Sequence, residues 1–209
     1  MKPFPLIKRI TITAKVSGGI DMEPTFIRES IQKVKKGDQQ AFETIVSFYQ
    51  NRIYYHCYRM TGNTYEAEDL AQETFVRAFV NIKSFDSKRK FSTWLYRIAT
   101  NVTIDRLRKR KPDFFLEQTV EGTENLNMYS QIPSEQDIPE EEVERLDLQE
   151  QIQKHILSLS PIYRSVVILR YIDELSLNEI SNVLDIPLGT VKTRLYRGRE
   201  ALRTKLQNL

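Results

Sequence analysis

The densest run of chemistry-bearing side chains lies between residues 66 and 77, where Glu66, Glu68, Asp69, Gln72, Glu73 and Arg77 share the polar side of one helical repeat. Carboxylates at this spacing could hold a divalent cation for phosphodiester cleavage. No nucleophile, lysine or histidine accompanies them, so the requirements of a catalytic site are not met. The plain alternative is a solvated acidic face. Cys57 is the single cysteine and neighbours His56. Two adjacent residues do not make a metal site, and Cys57 reads as a small core residue. A lone cysteine excludes an internal disulfide and fits a reducing, cytoplasmic compartment. His155 has no partner group in view. No catalytic residue, metal, cofactor or small-molecule ligand is expected.

Binding chemistry is richer. In the stretch from Phe91 to Lys111, FSTWLYRIATNVTIDRLRKRK, Phe91, Trp94, Leu95, Ile98 and Val102 fall on one arc at 100° per residue. Ser92 or Thr93 can cap the start, and Pro112 stops the run. Tyr96, Arg97, Thr100, Thr103, Arg106 and Arg108 are expected to point away from the core, with Asn101 at the border of the stripe. Arg106, Arg108, Lys109, Arg110 and Lys111 crowd the C-terminal end. Cations meet phosphates in a salt-dependent manner, an aromatic ring can stack on an unpaired base, and an amide can bond a base edge. That mixture suits single-stranded or melting DNA. The alternative is a solvated basic helix whose cations complement its C-terminus.

This stretch resembles the promoter-melting helix of extracytoplasmic-function sigma factors, and the chain from about Thr25 onward is similar to the SigW-type branch of that family. The resemblance implies roles for other segments. DLAQETFVRAF is similar to the segment that docks on the clamp coiled coil of RNA polymerase, which makes Asp69, Gln72, Glu73 and Arg77 candidate polymerase contacts. The loop KSFDSKRK, residues 83–90, would form part of a pocket for a base flipped out of the minus-ten element. Asn101 matches the asparagine near that pocket. Tyr96, Arg97, Thr100, Asn101, Arg106 and Arg108 are thus the minus-ten candidates. LSLNEISNVLDIPLGTVKTRLYRGREAL resembles the segment that reads the minus-thirty-five element.

The surrounding elements read as helices throughout. Thr25 to Lys36, Gln39 to Met60 and Tyr65 to Ile82 carry apolar residues at helical spacing, separated by Gly37-Asp38 and Thr61-Gly62-Asn63. Asp38 is a plausible N-cap. Residues 113–144 hold ten acidic residues and no lysine or arginine, with Gly122, Pro133 and Pro139 as breaks, the composition of a flexible linker. A second set of helices follows. Glu141 to Leu157 is amphipathic, Ser160-Pro161 opens the next helix, Ser176 to Glu179 is a capping box, and Leu188 to Leu206 is the last. The final pair with its tight turn makes a helix-turn-helix. Its exposed Thr190, Lys192, Thr193, Arg194 and Arg197 are the candidates for duplex DNA. Arg194 and Lys192 suit guanine edges or nearby phosphates, and Arg197 suits phosphate.

The fold expectation is therefore all-α: two small helical domains joined by an acidic flexible linker. The boundaries are a tail or upstream-extended start over 1–21, a first domain over 22–112, the linker over 113–140 and the helix-turn-helix domain over 141–209. Length allows two small domains at 209 residues, and 40% hydrophobic content supplies their cores. Net charge is only +3, so DNA affinity must come from where the cations lie. No apolar run approaches a membrane span. By resemblance, the partners are core RNA polymerase, promoter DNA and a membrane-anchored anti-sigma factor, and the setting is an envelope or antimicrobial stress response. Two other classes stand beside this reading. A stand-alone helix-turn-helix regulator would bind duplex sites without polymerase, and an enzyme using the Glu66 to Glu73 carboxylates would need a metal.

Overall fold

The computed structural model describes residues 24–110 and 140–206, and among these there is no strand. Eight α-helices follow in order: α1 (Thr25–Lys35), α2 (Ala41–Thr61), α3 (Thr64–Asn81), α4 (Phe91–Arg110), α5 (Glu140–Leu157), α6 (Pro161–Tyr171), α7 (Leu177–Leu184) and α8 (Leu188–Leu206). A 3₁₀ turn, Ile82–Ser84, follows α3. The expected tail over 1–21 lies outside the described residues, as do residues 113–139 of the linker expected over 113–140.

The first four helices form a bundle whose ends are set by local chemistry. Gly37 turns the chain at φ +106°, and the Asp38 side chain accepts from the Ala41 amide at 3.3 Å. Gly62 ends α2 in the left-handed region at φ 71°, which costs glycine nothing. Asn63 then caps α3 by accepting from Glu66 N at 3.0 Å. Ile27, Ile31, Phe42, Ile45, Ile53, Leu70 and Leu95 are buried in the bundle core. Phe91 anchors an aromatic cluster, with ring centroids 5.2 Å from Phe85, 5.3 Å from Trp94 and 5.8 Å from Tyr49. Phe91 itself opens α4, so Ser92 sits buried in the first turn instead of capping it. Trp94 lies only half-buried at the edge of this cluster. Its neighbours Phe85 and Phe91 take the interior positions expected of the indole.

The last four helices make the second unit. Ser160 has N-cap geometry with Pro161 at the first helical position, although its hydroxyl makes no cap bond. Ser176 and Glu179 complete both bonds of a capping box at α7. Asp185 ends α7 at φ 55°, and Ser181 Oγ donates to Ile186 O at 2.6 Å, which tightens the turn into α8. Gly198 lets α8 approach α6: a Cβ there would lie 2.9 Å from Val167 Cγ2.

The two units touch. α7 packs on α4, and α5 and α6 pack on α2. One cluster of buried apolar residues runs through both units. A second is built across their junction from Met60 of α2 with Ile156 and Ile168, flanked by Ile104 and Leu107 of α4.

Candidate nucleic-acid interface

α4 has two buried faces, where its apolar pattern shows one. Phe91, Leu95 and Val102 turn into the first bundle as expected. Tyr96, Thr100, Thr103, Ile104 and Leu107 occupy a separate arc about 100° wide at helical spacing, and that arc is covered as well. Tyr96 is 2% exposed, and Thr100 and Thr103 are fully buried. The expectation that these three point away from the core is therefore corrected. Thr103 Oγ1 returns to Ala99 O at 2.8 Å and lies against Cys57 Sγ. Thr100 Oγ1 bonds His56 Nε2 at 3.1 Å, and the Tyr96 ring meets His56 edge-on at 5.4 Å. Burial and the neighbouring Asp173 carboxylate push the Tyr96 phenol well above its ordinary pKa. It stays a neutral donor there.

Arg97, Asn101 and Arg108 form the row that remains at the surface. Asn101 and Arg108 are exposed and Arg97 is half-buried. The Arg97 guanidinium reaches the Asp185 carboxylate at 3.0 Å. Arg106 is half-buried on another side of the helix, and Arg110 reaches Glu66 at 3.2 Å. An amide flanked by two arginines can bond a base edge while the cations hold its phosphates. The loop at residues 83–90 leads into this row, and its Phe85 is tied down by the Lys35 ammonium, which donates to the Phe85 carbonyl.

The acidic face of α3 lies elsewhere on the first unit. Asp69, Gln72 and Arg77 are exposed, and Glu73 is partly covered by its 2.6 Å pair with Arg77. Val76 and Val80 are exposed beside them, at 58% and 71%. A polar rim around bare apolar residues is the composition of a protein-docking patch. Among the described residues no group of three or more His, Cys, Asp or Glu is placed to hold a metal ion.

In the second unit α8 presents Lys192, Thr193 and Arg197 to solvent, with Thr190 and Arg194 half-buried. Arg194 Nε is shielded and has no hydrogen-bond partner among the described residues. The turn Asp185-Ile186-Pro187 joins α7 to α8, the element order of a helix-turn-helix.

Sequence reasoning missed the residues that join the units. His56 Nδ1 donates to Asp173 Oδ2 at 2.7 Å across 117 residues. Arg164 is buried and donates to the carbonyls of Met60, Leu157 and Leu159; burial lowers its pKa to about 10. No local pattern announces such pairs. The one available signal was Ile104 and Leu107, apolar residues on the polar side of α4.

The family model for Sigma-70 region 2 matches residues 45–112, and that for Sigma-70 region 4 matches residues 149–202. The chain is 61% identical over 183 residues to the ECF RNA polymerase sigma factor SigW of Bacillus subtilis, covering 88% of this chain and 98% of that one. It is 34% identical to the ECF RNA polymerase sigma-E factor of Escherichia coli, over 86% and 93% of the two chains. Its fold is similar to CnrH, solved in complex with the cytosolic domain of CnrY, with TM-score 0.64 and 23% identity over 88% of this chain and 98% of that one. It is also similar to the sigma factor RpoE of Bartonella quintana, solved with the anti-sigma factor NepR, with TM-score 0.59 and 21% identity over 79% and 96%. The two regions and the relatives define the class: a transcription-initiation factor. The chain belongs to the extracytoplasmic-function family of RNA polymerase sigma factors.

Proposed function

We propose that this sigma factor docks on core RNA polymerase through the exposed α3 face at Asp69, Gln72, Glu73 and Arg77, and carries it to promoters with two separate DNA grips. Arg97, Asn101 and Arg108 hold the parted minus-ten strand. Thr190, Lys192, Thr193, Arg194 and Arg197 read the minus-thirty-five duplex. The observation that carries this reading is the presence on one chain of two basic faces of different chemistry, with a third, acidic and apolar face free for a protein. Tethering the two grips lets each raise the effective concentration of the other. Arg106 supplies charge near the end of α4, and Tyr96 and Thr100 join the strand grip only when their face is uncovered.

The domain boundaries 22–112 and 141–209 follow the same division of labour. The chain performs no catalysis; polymerase does the chemistry. It works in the cytoplasm, and no described helix is long and apolar enough to cross a membrane. Restraint by a membrane-anchored anti-sigma factor, and release under envelope or antimicrobial stress, follow from the family resemblance. Transcription from purified components tests the core of the reading. Added to core polymerase, the protein starts RNA at a defined promoter position, and charge reversal at Glu73 lowers core binding without unfolding the chain. Tight duplex binding with no affinity for core would instead make it a stand-alone regulator.

A further inference from the structure

α1 lies ahead of the residues matched to Sigma-70 region 2, which begin at 45, yet it reaches the loop that opens α4. The Lys35 ammonium donates to the Phe85 carbonyl and, at 3.2 Å, to Ser87 Oγ. It also stands 5.4 Å from the centre of the Phe85 ring, and that ring packs against Phe91 and Trp94 of α4. Gln32, one turn earlier on α1, donates from Nε2 to the same Ser87 Oγ at 3.1 Å. The chain turns locally at Asp86, whose side chain accepts from Lys88 N at 3.0 Å and whose carbonyl accepts from Arg89 N at 3.0 Å. The loop between α3 and α4 is thus held by α1, by its own turn and by the aromatic cluster.

The two donors from α1 fix what Ser87 can do. A serine hydroxyl ordinarily donates or accepts as its partner requires, because its hydrogen rotates. Here both acceptor sites of Ser87 Oγ are met by donors, Lys35 Nζ and Gln32 Nε2. Its own hydrogen must point elsewhere, and Ser87 is exposed. The side chain is left as a donor of set direction. Such a donor pairs with a carbonyl oxygen or ring nitrogen on a base edge and rejects an amino group in the same place. The surroundings suit a nucleic-acid strand. Lys83, Lys88 and Arg89 are exposed in the same loop, where cations can meet phosphates, and the loop leads into the helix that carries Arg97 and Asn101.

We propose that Ser87 reads a base of the parted strand, and that Lys35 and Gln32 are positioning residues that set its hydroxyl as a donor. The ligand is an unpaired base presenting a keto oxygen or a ring nitrogen to the loop. This role of Ser87 rests on the strand grip proposed above for α4, and it adds to that grip a choice between bases. Lys35 acts twice, on the course of the backbone through the Phe85 carbonyl and on the hydroxyl through Ser87 Oγ.

The test uses the full chain assembled with core polymerase, on a fork promoter with duplex upstream DNA and a single-stranded minus-ten segment in which each base is varied in turn. Ser87→Ala should cost about tenfold in affinity at one base position, the worth of one hydrogen bond, and flatten the preference there for keto over amino bases. Lys35→Met keeps the stem beside Phe85 and removes the donor, so it should weaken the preference at the same position. Lys35→Arg, which keeps donors, should restore it. The double variant of Lys35→Met with Ser87→Ala should bind as Ser87→Ala does, because one residue acts through the other. A duplex carrying only the minus-thirty-five element should be bound equally by all versions, with melting temperature reporting an intact bundle. If Ser87→Ala left every base preference unchanged while Asn101→Ala still weakened binding, the strand grip would stand and Ser87 would be overturned as its reader. Additive losses in the double variant, or an equal loss at every position from Lys35→Met, would make Lys35 a structural tie and overturn its positioning role. Binding indifferent to both Asn101→Ala and Ser87→Ala would remove the strand grip, and the role of Ser87 with it.

Discussion

α4 and α8 are both long, basic and amphipathic, yet they sit in different surroundings. α8 packs chiefly against α6 and α7, and its cations Lys192, Arg197, Arg199 and Arg203 face out. α4 is held between α2 and α3 on one side and α7 on the other. Its residues therefore divide into a core face, a junction face and a narrow open row at Arg97, Asn101 and Arg108. The helix proposed to read duplex DNA has a firm back and a clean front, whereas the one proposed to handle parted strands also carries a face that its own chain covers.

The largest expected effect falls on the back of α4. Phe91→Ala removes the ring that joins Tyr49, Phe85 and Trp94, and should cost about 3–5 kcal/mol in denaturant unfolding of the full chain. Trp94→Ala should cost visibly less, because the indole is half-buried. Equal losses would return Trp94 to the interior. On the α8 side, Gly198→Ala presses a methyl against Val167 and should cost about 1–3 kcal/mol. An unchanged midpoint would show that α6 and α8 have slack between them.

The next pair contrasts the two grips directly. Arg194→Ala should weaken duplex promoter binding by about 1–3 kcal/mol if it reads a base, with the loss confined to sequences carrying that base. A uniform loss on every sequence assigns it to phosphate. Asn101→Ala should weaken capture of the minus-ten strand by a similar amount, about 1–3 kcal/mol, while duplex binding stays level. The smallest effect is at the junction. Asp185→Asn removes the exposed Arg97 pair and should shift stability by about 0–1 kcal/mol, fading at high salt. A larger, salt-insensitive loss would mean that this pair shares the buried network of His56.

Most of the fold was legible because each helix buries a stripe whose period is local. The starts and stops at Gly37, Gly62, Asn63, Pro161 and Ser176 also rest on residues within a few positions of one another. The exposure of Lys192, Thr193 and Arg197 on α8 was legible for the same reason, whereas Thr190 and Arg194, expected to be exposed, are half-buried. Tyr96, Thr100 and Thr103 were misread because tyrosine and threonine are compatible with either environment. Their burial is decided by His56, Cys57 and Asp173, between 39 and 77 residues away along the chain. Arg164 illustrates the limit further: an arginine on a short helix reads as solvated, and only the arrival of the Met60 and Leu157 carbonyls makes it a buried tie.

The central claim is that α4 and α8 hold DNA in two different states, parted and paired. Permanganate probing of unpaired thymines, on a promoter bound by core polymerase and this sigma factor, reads the first state, while footprinting of the upstream duplex reads the second. Asn101→Ala should leave the upstream footprint in place and abolish the reactive thymines, and Arg194→Ala should remove both. If Asn101→Ala kept the thymines reactive, or erased the upstream footprint as completely as Arg194→Ala, the division between the two helices would be contradicted.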